Sequence, residues 1–276
     1  MNLGKDFIFS ANNLQDYLDC PRRFELKYIL KQNWPAISSQ PVQEMEFRIQ
    51  QGNRFHQIVN QFLSNIPIDT LKHSITDPDL SAWFTGFQEF IKPYLKYPYH
   101  SEFLLTMPLE GHRLIAVFDF ITQISDSEIL IIDWKTTTRR PKKEIYLQTI
   151  QFLLYPLIAF ENQKIIFPKN DPLVDKMISM TFWFPNFPES TLTNTLSYAD
   201  QQSSRKVISN LISEIAKKEL GEFEKTANEK HCAYCHFRSL CERGIAAGHS
   251  DEDPSEYEDP YGISNFDLDA IDGLEF

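Results

Sequence analysis

The chain has 276 residues, 42% hydrophobic and 24% charged, which supplies apolar material for one large or two ordinary domains and excludes a wholly disordered or collagen-like chain. The formal charge of -11 is unevenly spread: residues 251–276 hold ten acids and no Lys or Arg, leaving 28 acids against 27 bases elsewhere, so net charge does not exclude DNA as a partner. The longest apolar stretch, 152–160, falls short of the ~20 residues of a membrane span, and residues 1–12 lack a signal-peptide core, so no membrane and a cytoplasmic location are expected.

Residues 11–31 carry Leu14, Tyr17, Leu18, Phe24 and Tyr28 at roughly helical spacing, with Pro21 at a break or new first turn. A second helix is predicted over 42–63 and a third over 80–97, ending near Pro93 or Pro98. The period then changes to two. Strands are predicted over 102–109, 113–124 and 128–137, joined by Gly111 and by Ser125-Asp126-Ser127. A helix over 143–160, kinked or broken at Pro156, a strand over 177–184 and a helix over 199–220 follow. This order predicts an α/β fold with a mixed sheet and helices packed on it. Residues 1–248 form the expected folded domain, and 249–276 an acidic, disordered tail.

The four cysteines are Cys20 and the run Cys232, Cys235, Cys241, spaced C-x2-C-x5-C. A two-residue gap suits metal ligation better than a disulfide. Zinc usually takes two close pairs, whereas one solitary and three grouped thiolates suit an iron–sulfur cluster; zinc stays open as the alternative. Either metal would join the N-terminal helix to the C-terminal segment, a structural role.

A hairpin turning at Asp126 pairs residues whose numbers sum to 252, which sets Asp119 opposite Asp133 within strongly apolar strands. Two such carboxylates need a shared cation, and hard oxygen ligands suit Mg2+ or Mn2+. Lys135 lies two residues beyond Asp133 and so on the same face. Metal, carboxylates and ammonium together suit phosphodiester hydrolysis, although a buried structural ion pair is the commoner meaning of a lone D-x-K triplet. Arg139, Arg140, Lys142 and Lys143 form a basic run after this strand, where phosphates would pass; Arg22, Arg23 and Arg54 are candidates to extend it.

In combination these residues resemble the PD-(D/E)XK nuclease superfamily. Asp119 with Ile-Ile-Asp133-Trp-Lys135 is similar to its catalytic signature, Gly52-Asn-Arg-Phe-His56 to the histidine motif of its RecB-like branch, and Gln151-Phe-Leu-Leu-Tyr155 to the branch's Q-x-x-x-Y motif. Leu18-Asp-Cys20-Pro-Arg-Arg-Phe24 with Cys232, Cys235 and Cys241 resembles the iron–sulfur subgroup, which includes CRISPR-adaptation exonucleases and helicase-linked DNA-repair nucleases. Phe118 stands where the superfamily's proline would be, Ala116 and Thr136 where glycines often stand.

The resemblance implies a restriction-endonuclease-like core whose N- and C-terminal segments meet at a 4Fe–4S cluster on the four cysteines. It implies that His56, Asp119, Asp133 and the Trp134 carbonyl hold Mg2+ or Mn2+, with Lys135 as the catalytic lysine. Gln151 and Tyr155 would steady the scissile strand or the lysine, and Glu102 stands where relatives often carry a first-strand acid. The implied activity is a DNA exonuclease acting on single-stranded ends, with a separate helicase or adaptation-complex protein as partner, since no P-loop is present. The rival readings are a non-catalytic DNA-binding scaffold of the same fold, a zinc-stapled nuclease and an enzyme of RNA.

Overall fold

The structure is a computed structural model that describes residues 3–4, 6–32, 40–168, 177–233 and 235–244. The predicted acidic tail, 249–276, and its boundary with the folded domain lie outside these residues.

Strand β1 (Ile8–Ser10) leads directly into helix α1 (Ala11–Asp19). Ser10 caps that helix reciprocally: Asn13 N donates to Ser10 Oγ at 3.3 Å, and Ser10 N donates to Asn13 Oδ1 at 2.9 Å. Pro21 opens α2 (Pro21–Phe24), where its missing N–H costs nothing, and a π-helical turn over Glu25–Ile29 follows. The predicted helix 11–31 is therefore three pieces. Next come α3 (Gln40–Leu63), α4 (Ile68–Ser74) and α5 (Pro78–Ile91), the last capped by Asp77, which accepts from Asp79 N and Leu80 N. Helix α5 stops two residues before Pro93, short of the predicted 97: Lys92 still has helical dihedrals, but Pro93 has no N–H with which to continue the hydrogen-bond ladder.

Strands β2 (Tyr99–Leu109), β3 (His112–Ser125) and β4 (Glu128–Trp134) follow close to their predicted limits. Glu110 (φ +51°) and Gly111 (φ +77°) make the two-residue β2–β3 turn, both in the left-handed region that a type I′ hairpin needs. The predicted helix 143–160 is two helices, α6 (Lys143–Leu147) and α7 (Ile150–Glu161). The break falls at Gln148–Thr149, where the Thr149 hydroxyl accepts from Phe152 N at 3.4 Å, and Pro156 sits inside an unbroken α7. Helix α8 (Gln163–Ile166), strands β5 (Met177–Trp183) and β6 (Leu192–Leu196), helix α9 (Tyr198–Lys217) and helix α10 (Lys230–Ala233) follow, with 3-10 turns over Pro188–Ser190 and Arg238–Cys241.

The sheet runs β1-β3-β4-β5-β6, with β2 on the other edge of β3. β1 is parallel to β3, β4 is parallel to β5, and the remaining pairs are antiparallel. β2 occupies one edge of β3 along most of its length. On the opposite edge β1 covers 113–115 and β4 begins at Phe120, so the two neighbours part around 116–119. Asp119 sits in that fork.

Each face of the sheet carries its own core. Helices α1, α7 and α9 pack on one face over Ile129, Ile131, Ile178 and Met180. Helices α3 and α5 pack on the other over Leu130, Ile132, Trp134 and Trp183. β4 and β5 thus contribute alternate side chains to both layers, which is why they read as continuous apolar runs. Phe87 of α5 is fully buried, its ring 5.0 Å from Trp134 and 5.8 Å from Trp183. Phe87→Ala is expected to cost about 3–5 kcal/mol, read as a lowered urea midpoint with an unchanged slope.

Candidate active site

The β3–β4 pairing joins Phe120 to Ile132, Ile121 to Ile131 and Thr122 to Leu130, the register expected from the sequence, and a bulge enters only toward the turn. The paired residues end at Phe120 and Ile132, so Asp119 and Asp133 come next, just where the two strands part. The β2–β3 register pairs Ser101 with Phe120 and Phe103 with Phe118, which leaves Glu102 facing Asp119. Three carboxylates therefore stand in a row across three strands, an arrangement that is destabilising when all are charged and close.

The strands are irregular at this row. Phe118 and Phe120 should share a face, yet Phe118 joins the α7-side core and Phe120 the α3-side core. Across from them Glu102 has φ +47°, a left-handed conformation that costs a non-glycine residue ~1–3 kcal/mol and is concentrated at functional sites. The kink turns the Glu102 and Asp119 carboxylates toward His56 of α3. One ligand atom from each of His56, Glu102 and Asp119 lies within 4.8 Å of the others, and His56 Nδ1 is 3.6 Å from Asp119 Oδ1. Asp119 Oδ2 also accepts from Trp134 N at 3.1 Å, which ties the fork to β4.

Asp133 stands beside this trio and is held from two directions. Lys135 Nζ is 3.1 Å from its Oδ2, and Gln151 Nε2 of α7 donates to its Oδ1 at 2.6 Å. Lys135 N donates to the Trp183 carbonyl at 2.9 Å, so the lysine is anchored on β5 just past the end of β4. Tyr155, one turn beyond Gln151, is 2% exposed, its ring 5.2 Å from Phe118 in the α7-side core. The Trp134 indole is buried at the other face, 6.0 Å from the His56 ring.

The charges at the site bias its protons. Burial first, then the Asp119 carboxylate and to a smaller extent Asp133, push Glu102 up to about 7, against the influence of His56. Burial disfavours the charged His56 ring, but Asp119, Glu102 and Asp133 together raise it above its ordinary 6.5. Three acids against one ammonium and one imidazole leave a deficit of positive charge. Carboxylate oxygens and one imidazole nitrogen are a donor set suited to a hard divalent ion.

In the basic run Arg140, Lys142 and Lys143 are all exposed, and Arg140 is engaged with Glu189 at 2.8 Å and with Ser190 Oγ at 3.2 Å. Arg48 of α3 reaches Thr138 Oγ1 at 3.5 Å and so approaches the same loop. Arg23 does not extend this track. It is 5% exposed and clamped between Asp16 at 2.9 Å and Asp19 at 2.8 Å. Asp19 stands four residues before Arg23 and Asp16 seven, on either side of the break at Cys20.

The four cysteines are all buried, form no disulfide and line one cavity together with Arg23, Lys225, His231 and Arg243. Cys20 is both the C-cap of α1 and the N-cap of α2, and Cys241 closes a 3-10 turn over Arg238–Cys241. Burial and the neighbouring Cys20 sulfur, then Cys232, raise the Cys241 thiol, while Lys225 and Arg22 oppose the shift. Soft sulfur donors converging among cations suit a thiolate-ligated metal centre, whose own charge would reverse that shift. Direct bonds also join the two ends of the chain here: Arg22 N donates to the Glu224 carbonyl at 3.1 Å, and Gly221 N donates to buried Glu25 Oε1 at 2.7 Å.

A forked mixed sheet flanked by helices, with acids and a lysine at the fork, is a restriction-endonuclease-like fold. A family model described as the PD-(D/E)XK nuclease superfamily matches residues 8–242, and the chain belongs to that superfamily. No curated protein matches it. Among solved structures, a candidate exonuclease from Eubacterium rectale is similar at 12% identity and TM-score 0.50, over 89% of this chain and 91% of that one. A protein named SSO0001 is similar at 13% identity and TM-score 0.38, over 88% and 90%. At this identity the first likeness concerns the fold.

The proton bias has a testable sign. Glu102 and His56 both sit above their ordinary values when folded, so their contribution to stability is complete at low pH and is lost as pH rises through the folded values. For Glu102 that window runs from 4.5 to about 7. The melting temperature of metal-free protein is expected to fall from about pH 5 to about pH 8 more steeply than that of Glu102→Gln, and Mn2+ to reverse the fall. Parallel curves for the two proteins, with and without the ion, would contradict this account.

Proposed function

We propose that this protein is a metal-dependent deoxyribonuclease that hydrolyses phosphodiester bonds at the β3–β4 fork. The observation that carries the reading is the carboxylate row with Lys135 3.1 Å from Asp133. His56, Glu102, Asp119 and Asp133 would hold the divalent ion. When bound, such an ion supplies Lewis acidity and lowers the pKa of water. Lys135 presents its ammonium at the same edge, where it can orient the attacking water and balance charge developing on the phosphoryl oxygens. Asp133 keeps that ammonium directed, and Gln151 keeps Asp133 from rotating. Lys142 and Lys143, exposed where the following loop enters α6, supply phosphate contacts that position the strand without reading its sequence.

We further assign exonuclease action on single-stranded DNA ends in the cytoplasm, beside a separate helicase or adaptation-complex protein. The family membership and the candidate exonuclease of similar fold support this assignment. Among the described residues, no helix is long and apolar enough to cross a membrane. The four cysteines hold a structural 4Fe–4S cluster in this reading, supported by their shared buried cavity and the cations around it.

End-labelled single- and double-stranded DNA incubated with Mg2+ or Mn2+ tests the activity. Asp119→Ala, Asp133→Ala and Lys135→Ala are each expected to lose on the order of 100-fold or more while keeping the circular dichroism of the parent. Full cleavage by any one of the three would remove the assignment. A brown preparation, with broad absorbance toward the blue that Cys235→Ser abolishes, is the expected signature of the cluster. A colourless preparation carrying one zinc per chain would replace it with the zinc-stapled form.

A further inference from the structure

Gln15 of α1 belongs to none of the groups assigned above, yet both ends of its carboxamide are engaged. Its Oε1 accepts from Ile150 N at 3.0 Å, across 135 residues of sequence, and its Nε2 donates to Asp19 Oδ1 at 2.9 Å. Ile150 is the first residue of α7, and the first N–H groups of a helix have no partner within it. Thr149 satisfies Phe152 N from within the segment. Ile150 N is instead satisfied from another helix, so α1 sets where α7 begins.

The next residue is Gln151, whose amide donates to Asp133 at 2.6 Å. On the other side, Asp19 also accepts from Arg23, which lines the cysteine cavity. A contiguous series of short hydrogen bonds therefore runs Arg23, Asp19, Gln15, Ile150, and by one peptide unit to Gln151 and Asp133. Hydrogen bonds are directional and weaken steeply once the donor angle falls below about 120°, whereas apolar contacts tolerate rotation. A small drift of the first turn of α7 would break the Gln151–Asp133 bond before it disturbed the apolar packing behind it.

We propose that Gln15 is a positioning residue for the divalent-metal site: it fixes the first turn of α7 so that Gln151 holds Asp133 in its ligating orientation. The proposal rests on the reading of His56, Glu102, Asp119 and Asp133 as that site. A purely structural Gln15 would contribute to the melting temperature and leave metal affinity of the folded protein unchanged. A positioning Gln15 changes the affinity, and does so through Gln151.

The test is Mn2+ binding to the full chain without DNA, followed by electron paramagnetic resonance at a temperature where circular dichroism reports every variant folded. Gln15→Leu removes both polar ends at similar volume and is expected to weaken Mn2+ about 10-fold, the lower end of what loss of an outer partner costs a metal site. Gln15→Glu keeps an acceptor for Ile150 N but faces Asp19 with a like charge, so it should recover only part of that loss. Gln151→Ala should weaken Mn2+ about as much, and adding Gln15→Leu to it should weaken binding no further. Affinity of Gln15→Leu within twofold of the parent, or losses that add in the double variant, would overturn the positioning role. Absence of Mn2+ binding by the parent would overturn the metal-site reading itself, and the proposal with it.

Discussion

Like charges side by side on neighbouring strands are the constraint around which this protein is arranged. Glu102, Asp119 and Asp133 form a row across β2, β3 and β4, in strands that are otherwise apolar. Unrelieved, such a row opposes the very pairing that creates it. Relief comes from several sources: a fork in the sheet at 116–119, a left-handed Glu102, the His56 ring from one layer and Lys135 beside Asp133. The same features bring oxygen and nitrogen donors of His56, Glu102 and Asp119 together, so the repulsion among the acids and the suitability of this donor set for a dication have a common origin.

The row is held in place by layers on both faces. His56 arrives on α3, whose apolar side is locked by Phe55, Ile58 and Val59 against Phe87 and Trp183. Gln151 arrives on α7 from the opposite layer, where Leu154, Leu157 and Ile158 are fully buried. Neither helix could deliver its polar group alone, because each depends on β3 and β4 presenting side chains to both cores. The cysteine cavity adds a third anchor at the chain ends, with Cys20 at the junction of α1 and α2. Its Arg23–Asp16–Asp19 network places buried charge beside buried sulfur, and the hydrogen bonds of Glu25 and Arg22 to 221 and 224 bind the same two segments.

Much of this was readable in the residues. A short turn gave the 252-sum register as far as Phe120–Ile132, because hairpin geometry is local, and this brought Asp119 and Asp133 to neighbouring positions where the strands part. Lys135 on the face of Asp133 follows from strand alternation. The parts that escaped are short or non-local. β1 has three residues and β6 five, too few for a period to declare itself, and α4 has seven. Pro156 suggested a break that a threonine cap seven residues earlier makes instead, since a cap can outcompete a proline whose lost hydrogen bond the helix absorbs. Arg23 looked like a phosphate contact because basic residues usually face solvent; its two aspartates bury it.

The amino-acid sequence by itself determined the two β-strands that carry the acids, their register, the lysine's side and the clustering of thiols at the two chain ends. These depend on interactions between residues a few positions apart, where backbone geometry leaves little choice. The tertiary structure decided which carboxylates converge. It brought Glu102 into the set with His56 and Asp119, slipped the alternation at Phe118–Phe120, and gave Asp133 to Lys135 and Gln151. Those outcomes are set by where helices from opposite layers come to rest on one sheet, and a contact such as that of His56 with Asp119, 63 residues apart, has no signature in any local pattern.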